Sequence, residues 1–351
     1  MSIFWSNQSK LRVLITGGAG FIGGALIRRL LSNTSATIFN LDKMGYASDL
    51  TGINTYLKNN NIKNRYYFIK EDLYNRQKLD ELMLYVDPDI VFHLAAESHV
   101  DKSIEGPEIF LKSNILGTFY LLEVLRNHWD KLSNSRRDNF RFHHISTDEV
   151  YGSLDENDKF DEKYPYSPRS PYSASKASSD HLVMAWFHTY GFPGLVTNCS
   201  NNYGPWQYPE KLIPLAIFKA IEGKSIPMYG DGQQIRDWLY VEDHIDALLL
   251  ASSKGLIGEN YCIGGFGERT NEYVLRRICK ILDELRPKKD SYGNLITSVK
   301  DRLGHDRRYA INSSKIQRNL GWKPSLEFED GLRITVEWYL KKFDWLSKKK
   351  I

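Results

Sequence analysis

The sequence predicts an α/β protein: a Rossmann-type, doubly wound parallel sheet with a second, smaller α/β domain. Three observations carry this. Short β-rich apolar runs alternate with amphipathic helical stretches through the first half of the chain, a glycine cluster follows the first such run, and after about Asn198 the alternation gives way to segments punctuated by Pro205, Pro209, Pro214 and Pro227. Alternating strands and helices bury a parallel sheet between two helical layers, which is what makes the pattern doubly wound.

Residues 11–16 form a β-rich run entering the glycines, and residues 25–31 continue at helical spacing through Leu26, Ile27, Leu30 and Leu31. The order is strand, turn, helix. Residues 37–41 supply a second strand closing on Asp42, residues 66–69 a third and residues 90–94 a fourth, with an amphipathic helix at 77–85. Residues 114–129 read as a helix, 141–146 as a strand, 174–190 as a long helix and 194–197 as another strand. These elements form one continuous unit at 11–197, preceded by a short loose extension at 1–10; residues 198–351 form most of the second domain. Residues 238–241 and 244–252 repeat the strand–helix order, so 236–252 is expected to cross back to the first unit. The low-complexity stretches 58–63 and 348–350 read as solvated surface.

Composition narrows the function. At 351 residues the chain has room for about two domains, and with 42% hydrophobic and 26% charged residues it can bury a sizeable core. The formal charge of +4 is spread along the chain, too weak a bias for nucleic acid as a partner. No apolar run approaches the roughly 18 residues of a membrane span, and Ile3-Phe4-Trp5 is followed at once by polar residues rather than by the apolar core of a signal peptide. Cys199, Cys262 and Cys279 are odd in number and form no close pair, which fits a reducing cytoplasm and offers no cysteine-rich metal site.

Gly17, Gly20 and Gly23 fall at a Gly-x-x-Gly-x-x-Gly spacing between the first strand and first helix. Glycines remove Cβ where backbone and pyrophosphate must meet, and the helix N-terminus offers free N–H groups and a partial positive charge. Asp42 closes the second strand, where a carboxylate accepts hydrogen bonds from ribose hydroxyls and repels a 2′-phosphate. The expected cofactor is therefore NAD, with Lys43 beside that carboxylate and Asp72 after the third strand near the adenosine.

Tyr172 and Lys176 lie four residues apart at the start of a helix, so both project from one face. A tyrosine titrates near pH 10, and lowering it by about 3 units takes roughly 4 kcal/mol. A unit charge about 4 Å away at an effective dielectric near 20 supplies about that much. Lys176 and the positive charge of a bound nicotinamide are the candidate sources. Upstream, Ser146-Thr147-Asp148-Glu149 stands at the carboxyl end of the 141–146 strand, where doubly wound folds place ligands. Thr147 can hydrogen-bond a substrate hydroxyl beside Tyr172. Asp148 and Glu149 offer two carboxylates whose environments can separate into an acid and a base, a pair that simple alcohol oxidation does not use.

With these residues assembled, the chain resembles the extended short-chain dehydrogenase/reductases and, within them, the dTDP-glucose 4,6-dehydratase family. The likeness runs from about Arg12 to Trp338. It includes Gly17-Gly18-Ala19-Gly20-Phe21-Ile22-Gly23, His93-Leu94-Ala95-Ala96-Glu97-Ser98-His99-Val100-Asp101, and the stretches 146–152, 172–181, 198–205, 209–214, 236–244 and 301–309. The resemblance implies Tyr172 as the base for an initial oxidation, supported by Thr147 and Lys176, Asp148 as proton donor and Glu149 as proton acceptor. It implies contacts to NAD from Phe21, Ile22, Leu73, Leu94, Ala95, Ala96, Ser98, Ser113 and Asn202. It places Ser98, Thr147, Asn201, Lys211, Leu212, Pro227, Met228, Tyr229, Arg236, Asn271, Arg302, His305 and Asp306 on a nucleotide-sugar substrate bound mainly by residues 198–351. Lys211, Arg236 and Arg302 suit a diphosphate, since charge-assisted hydrogen bonds are worth roughly 1.5–3 kcal/mol each.

Three positions depart from the family pattern: Gly24 for Ser, Ser113 for Thr and Leu303 for Pro. The last leaves thymine and uracil both open as the base. The expected reaction is internal hydride transfer from C4 to C6 of the glucose with loss of water. A 4-epimerase or decarboxylase on the same scaffold would share the glycines, Tyr172 and Lys176 without needing the acid pair, and a non-catalytic NAD-binding protein would need none of the reactive set. A homodimer through helices 114–129 and 174–190 is expected from their surplus of apolar residues, Phe119, Leu122, Leu125, Val183, Trp186 and Phe187 among them.

Overall fold

Strands buried on both faces of a parallel sheet must be apolar throughout, and Val13, Leu14 and Ile15 are wholly buried at the centre of the sheet. In the computed structural model, which describes residues 11–155 and 158–349, the first strands in chain order are β1 (Arg12–Thr16), β2 (Thr37–Asp42), β3 (Tyr66–Lys70), β4 (Ile90–His93), β5 (Arg141–Thr147) and β6 (Gly194–Cys199). There follow β7 (Asn201–Tyr203), β8 (Ile226–Tyr229), β9 (Ile235–Arg236), β10 (Trp238–Tyr240), β11 (Asn260–Ile263), β12 (Arg269–Thr270) and β13 (Ile296–Val299). The expected extension at 1–10 lies outside the described residues.

The main sheet has the order β11-β6-β5-β4-β1-β2-β3, every pairing parallel. From β1 the chain runs outward to β3 and then crosses back to β4 on the other side of β1. The carboxyl ends of β1 and β4 therefore flank the point where the strand order reverses, the place such sheets bind ligands. One face carries helices Phe21–Asn33 and Val241–Lys254, whose Leu26, Ile27, Ile245 and Leu248 pack in one core with Val13, Ile15 and Phe92. The other carries helices Arg76–Val86, Gly117–Trp129 and Pro171–Tyr190, whose Leu79, Leu122 and Val183 meet Leu14, Val91 and Phe142.

Beyond β6, helices Leu212–Ile221, Asn271–Leu285 and Phe328–Lys341 enclose a separate core around Ile217, Ile278 and Val336. Three two-stranded ladders, β7–β10, β8–β13 and β9–β12, frame it. The 238–241 strand pairs with β7 and stays out of the main sheet, while the helix after it returns to that sheet. The sequence reading does not anticipate β11, which adds the outermost strand beside β6, nor the return of Ile316 and Trp322 to the first core. It also reads 114–129 as one regular helix, whereas Leu111–Leu116 is a wide π turn that gives way to Gly117–Trp129. Among the described residues no helix is long and apolar enough to cross a membrane.

Candidate active site

The carboxyl ends of β1, β2, β4, β5 and β6 open into one cleft of about 340 Å³. Its floor is the glycine turn. Gly17 has φ +71°, and a Cβ there would stand 2.6 Å from Ala95 N; a Cβ on Gly23 would stand 2.4 Å from Gly17 O. Only glycine allows this approach of β1 to β4. No side chain caps the helix beginning at Phe21, so its first amides remain for a ligand. Phe21, Ile22 and Gly20 line the same wall.

Asp42 fastens this floor to its rim: Oδ2 accepts from Ala19 N at 3.0 Å and Oδ1 from Met44 N at 2.8 Å and Ser48 Oγ at 2.9 Å. Lys43 is already committed, with Nζ 2.6 Å from Glu97 Oε1 and 2.8 Å from Ser113 Oγ, so it is not free for a 2′-phosphate. Asp72, Leu73, Leu94, Ala95, Ala96 and Ser98 complete the lining on the β3 and β4 side. The segment after β4 is held by Asn114, buried in the π turn, which accepts from Glu97 N at 2.8 Å and donates to Glu97 O at 3.0 Å and to Ser175 Oγ at 2.8 Å. This cradle of Cβ-free backbone with a carboxylate at the ribose end fits a dinucleotide without a 2′-phosphate.

Tyr172 and Lys176 enter from the helix Pro171–Tyr190, fixed by a capping box of Ser170 and Ser173. Both are buried. Lys176 Nζ donates to Ile145 O at 3.0 Å and lies 3.3 Å from His144 Nε2. Burial, and after it the charge of Glu149, pushes the Tyr172 phenol well above its ordinary value. Of the two expected sources of positive charge for lowering it, Lys176 has its ammonium turned toward the strand, and burial lowers its own affinity for a proton. The positive charge of the cofactor is the remaining source.

Asp148 and Glu149 begin a short 3-10 turn at the end of β5. Asp148 is 1% exposed and its carboxyl is raised well above the ordinary range, by burial first and then by Glu149 and Asp237. Glu149 is also raised by burial, but Lys211, Arg236 and Arg302 oppose the shift. Burial thus favours the protonated form of Asp148 while Glu149 faces compensating cations, the kind of separation an acid and a base require.

A family model described as GDP-mannose 4,6 dehydratase matches residues 14–335. The dTDP-glucose 4,6-dehydratase of Salmonella typhimurium is 53% identical over 349 residues, covering 97% of this chain and 96% of that protein. The chain belongs to the dTDP-glucose 4,6-dehydratase family. It is accordingly an NAD-dependent hydro-lyase of the extended short-chain dehydrogenase/reductase type. Among solved structures, the dTDP-glucose 4,6-dehydratase of Bacillus anthracis in complex with NAD is 39% identical with a TM-score of 0.84, covering 98% of this chain and all of that one. That of Streptomyces venezuelae, with NAD bound, is 38% identical with a TM-score of 0.86, covering 97% of this chain and all of that one.

In this dehydratase the residues expected on the nucleotide sugar fall into two groups. Ser98, Thr147, Asn201 and Lys211 line the cleft itself, as does Asn202, expected on NAD, with Lys211 Nζ donating to Ser98 O at 2.9 Å. The others stand beyond it. Arg236 donates to Asp306 O at 2.9 Å and covers the Tyr309 ring at 4.3 Å; Arg302 lies 3.4 Å from Asp101 and 5.3 Å above Tyr229. His305 Nδ1 is 2.6 Å from Asp301 Oδ1, and Asp306 accepts from Tyr309 OH at 2.5 Å. Pro227, Met228 and Tyr229 belong to β8, Leu212 starts its helix, and the buried Asn271 Oδ1 has no partner among the described residues. The two groups meet at Glu149, whose charge is set by Lys211 from one and by Arg236, Asp306 and Arg302 from the other. Leu303 is 75% exposed, so its departure from the family pattern disturbs no packing.

The sequence reading misses His144 and Asp180. His144 shares a face of β5 with Ser146 by strand alternation, and Asp180 lies one helical turn beyond Lys176. Those spacings were the available signal.

Proposed function

We propose that the chain converts a nucleoside-diphosphate glucose, dTDP-glucose first among candidates, to its 4-keto-6-deoxy derivative with loss of water. The observation that carries this is the acid pair Asp148 and Glu149, in unlike environments, with Glu149 lining the dinucleotide cleft beside Tyr172 and Lys176. Bound NAD supplies the hydride acceptor and donor. Tyr172 takes the C4 hydroxyl proton, with Thr147 holding that hydroxyl; the resulting ketone acidifies C5–H. Glu149 removes the C5 proton while Asp148 protonates the departing C6 hydroxyl. Lys211, Arg236 and Arg302 hold the diphosphate in the second domain, and the fold keeps sugar and cofactor together so that the hydride does not exchange with solvent.

The chain acts as a homodimer through the faces of helices 114–129 and 174–190. Leu122, Leu125 and Val183 are consumed by its own core, but Leu111 and Leu116 are exposed beside the partly exposed Phe119 and Trp186, and the Trp186 indole N–H has no partner among the described residues.

The test is incubation of dTDP-glucose and UDP-glucose in parallel, each carrying deuterium at C4, in ordinary water. The expected product is lighter by one water and carries the label at C6. A product of unchanged mass, as an epimerase would give, or a label absent from C6, overturns the reading.

A further inference from the structure

Behind Lys176 lies a buried polar chain that the reaction as described does not use. His144 Nε2 stands 3.3 Å from Lys176 Nζ and 3.1 Å from Asp180 Oδ1. All three side chains are almost wholly buried. The other oxygen of Asp180 accepts from Ser146 Oγ at 2.8 Å, Tyr166 OH at 2.9 Å and Asn198 Nδ2 at 3.1 Å. Burial raises the Asp180 carboxyl on balance, while the Lys176 charge and the three donors on one oxygen oppose it and favour the charged form; two of the donors, Ser146 and Asn198, belong to β5 and β6, which carry the site. An ammonium as deeply buried as Lys176 needs a counter-charge.

We propose that Asp180, with His144 packed between the two, is a positioning residue that keeps Lys176 charged and in place beside the reaction centre. The inference rests on the reading above that Tyr172 and Lys176 carry the C4 oxidation. The titratable groups facing Lys176 are His144 and, behind it, His93 from the sheet, Tyr172 and Asp180 from its own helix, and Cys199 from β6. His93 is spent on Thr16 and Thr118 at 2.7 and 2.9 Å. Both histidines are held neutral by burial. Asp180 is thus the carboxylate that opposes the loss of the lysine's proton, with a thiolate at Cys199 disfavoured by burial. Both contacts fall on the same nitrogen, so the neutral imidazole accepts from the ammonium in one tautomer or donates to the carboxylate in the other, and the carboxylate acts on the lysine through its charge across the ring.

The test isolates the oxidation. A dTDP sugar lacking the C6 hydroxyl can be oxidised at C4 but cannot lose water, so NADH accumulates on the enzyme and its absorbance follows the first step alone. In the NAD-loaded Asp180→Asn enzyme the alkaline fall of that rate should move about one pH unit or more toward neutrality, with the melting temperature recorded alongside. His144→Gln, which can still receive the lysine's hydrogen bond, should keep the parental profile, whereas His144→Leu should slow the step by roughly tenfold or more. An Asp180→Asn enzyme slowed equally at every pH, or with its alkaline limb unmoved, overturns the proposal. So does a His144→Leu enzyme with the parental rate. A parental enzyme that forms no NADH from the deoxy sugar overturns the functional reading and this inference with it.

Discussion

Asp148 and Glu149 are neighbours in the chain, yet of the two only Glu149 lines the cleft; Asp148 is buried, accepting from Thr147 Oγ1 at 3.3 Å through Oδ1, with no partner for Oδ2 among the described residues. An acid that protonates a leaving group and a base that takes a carbon-bound proton fail differently. Asp148→Asn should slow loss of water by roughly 100-fold or more and leave C4 oxidation nearly intact. Fluoride at C6 leaves without a proton, so the fluorinated substrate should restore much of that rate. Glu149→Gln should gain far less. Equal rescue of both, measured as rates of product formation, would contradict the division of labour.

The same burial predicts a stability effect. In the folded protein the Asp148 carboxyl titrates above its unfolded value, so the fold binds that proton more tightly than the unfolded chain does. Stability from this group is present at acid pH and lost as pH rises from the unfolded value through the folded one. Asparagine has no proton to lose. Asp148→Asn should therefore be more stable than the parent by about 1–3 kcal/mol near neutrality, with the gap narrowing on acidification. Denaturant melts at several pH values would show it, and a gap that widens toward acid would refute it.

Gly17→Ala should abolish cofactor retention. The backbone there has φ +71° and the added methyl would meet Ala95 N at 2.6 Å, a strain of about 1–3 kcal/mol that is relieved only by moving β4 away from the cradle. The ratio of nicotinamide-cofactor to protein absorbance after purification is the measurement.

Leu116→Glu places a charge on an exposed apolar position of the expected dimer face without touching either core. Light scattering at micromolar concentration should then give the mass of one chain where the parent gives two. Retention of NAD should be unchanged.

The glycine turn, Asp42, and the strand carrying Thr147 to Glu149 were legible because each is a local demand: positive φ, a strand end, an apolar run with polar residues at its tip. Longer-range features were not. β11 is four residues long and becomes a strand only because β6 offers an edge beside it. The surroundings of Tyr172 were not legible, because sequence spacing gives the lysine's nearness and not its burial, and the ammonium gives a hydrogen bond to Ile145 O. The pairing of His144 with Asp180 joins a strand to a helix across the sheet, a relation that no single periodicity encodes.

The return of helix Val241–Lys254 and β11 to the main sheet bears on how such enzymes can be recombined. A fragment ending near residue 198 would carry β6 as a bare edge, open to pairing with other chains, and a sheet face stripped of Ile245 and Leu248. The sugar-binding half is therefore not a cassette that one crossover can exchange. A chimera that alters nucleotide choice has to be spliced at several junctions, leaving the returning helix and outer strand with the parent that supplies the sheet.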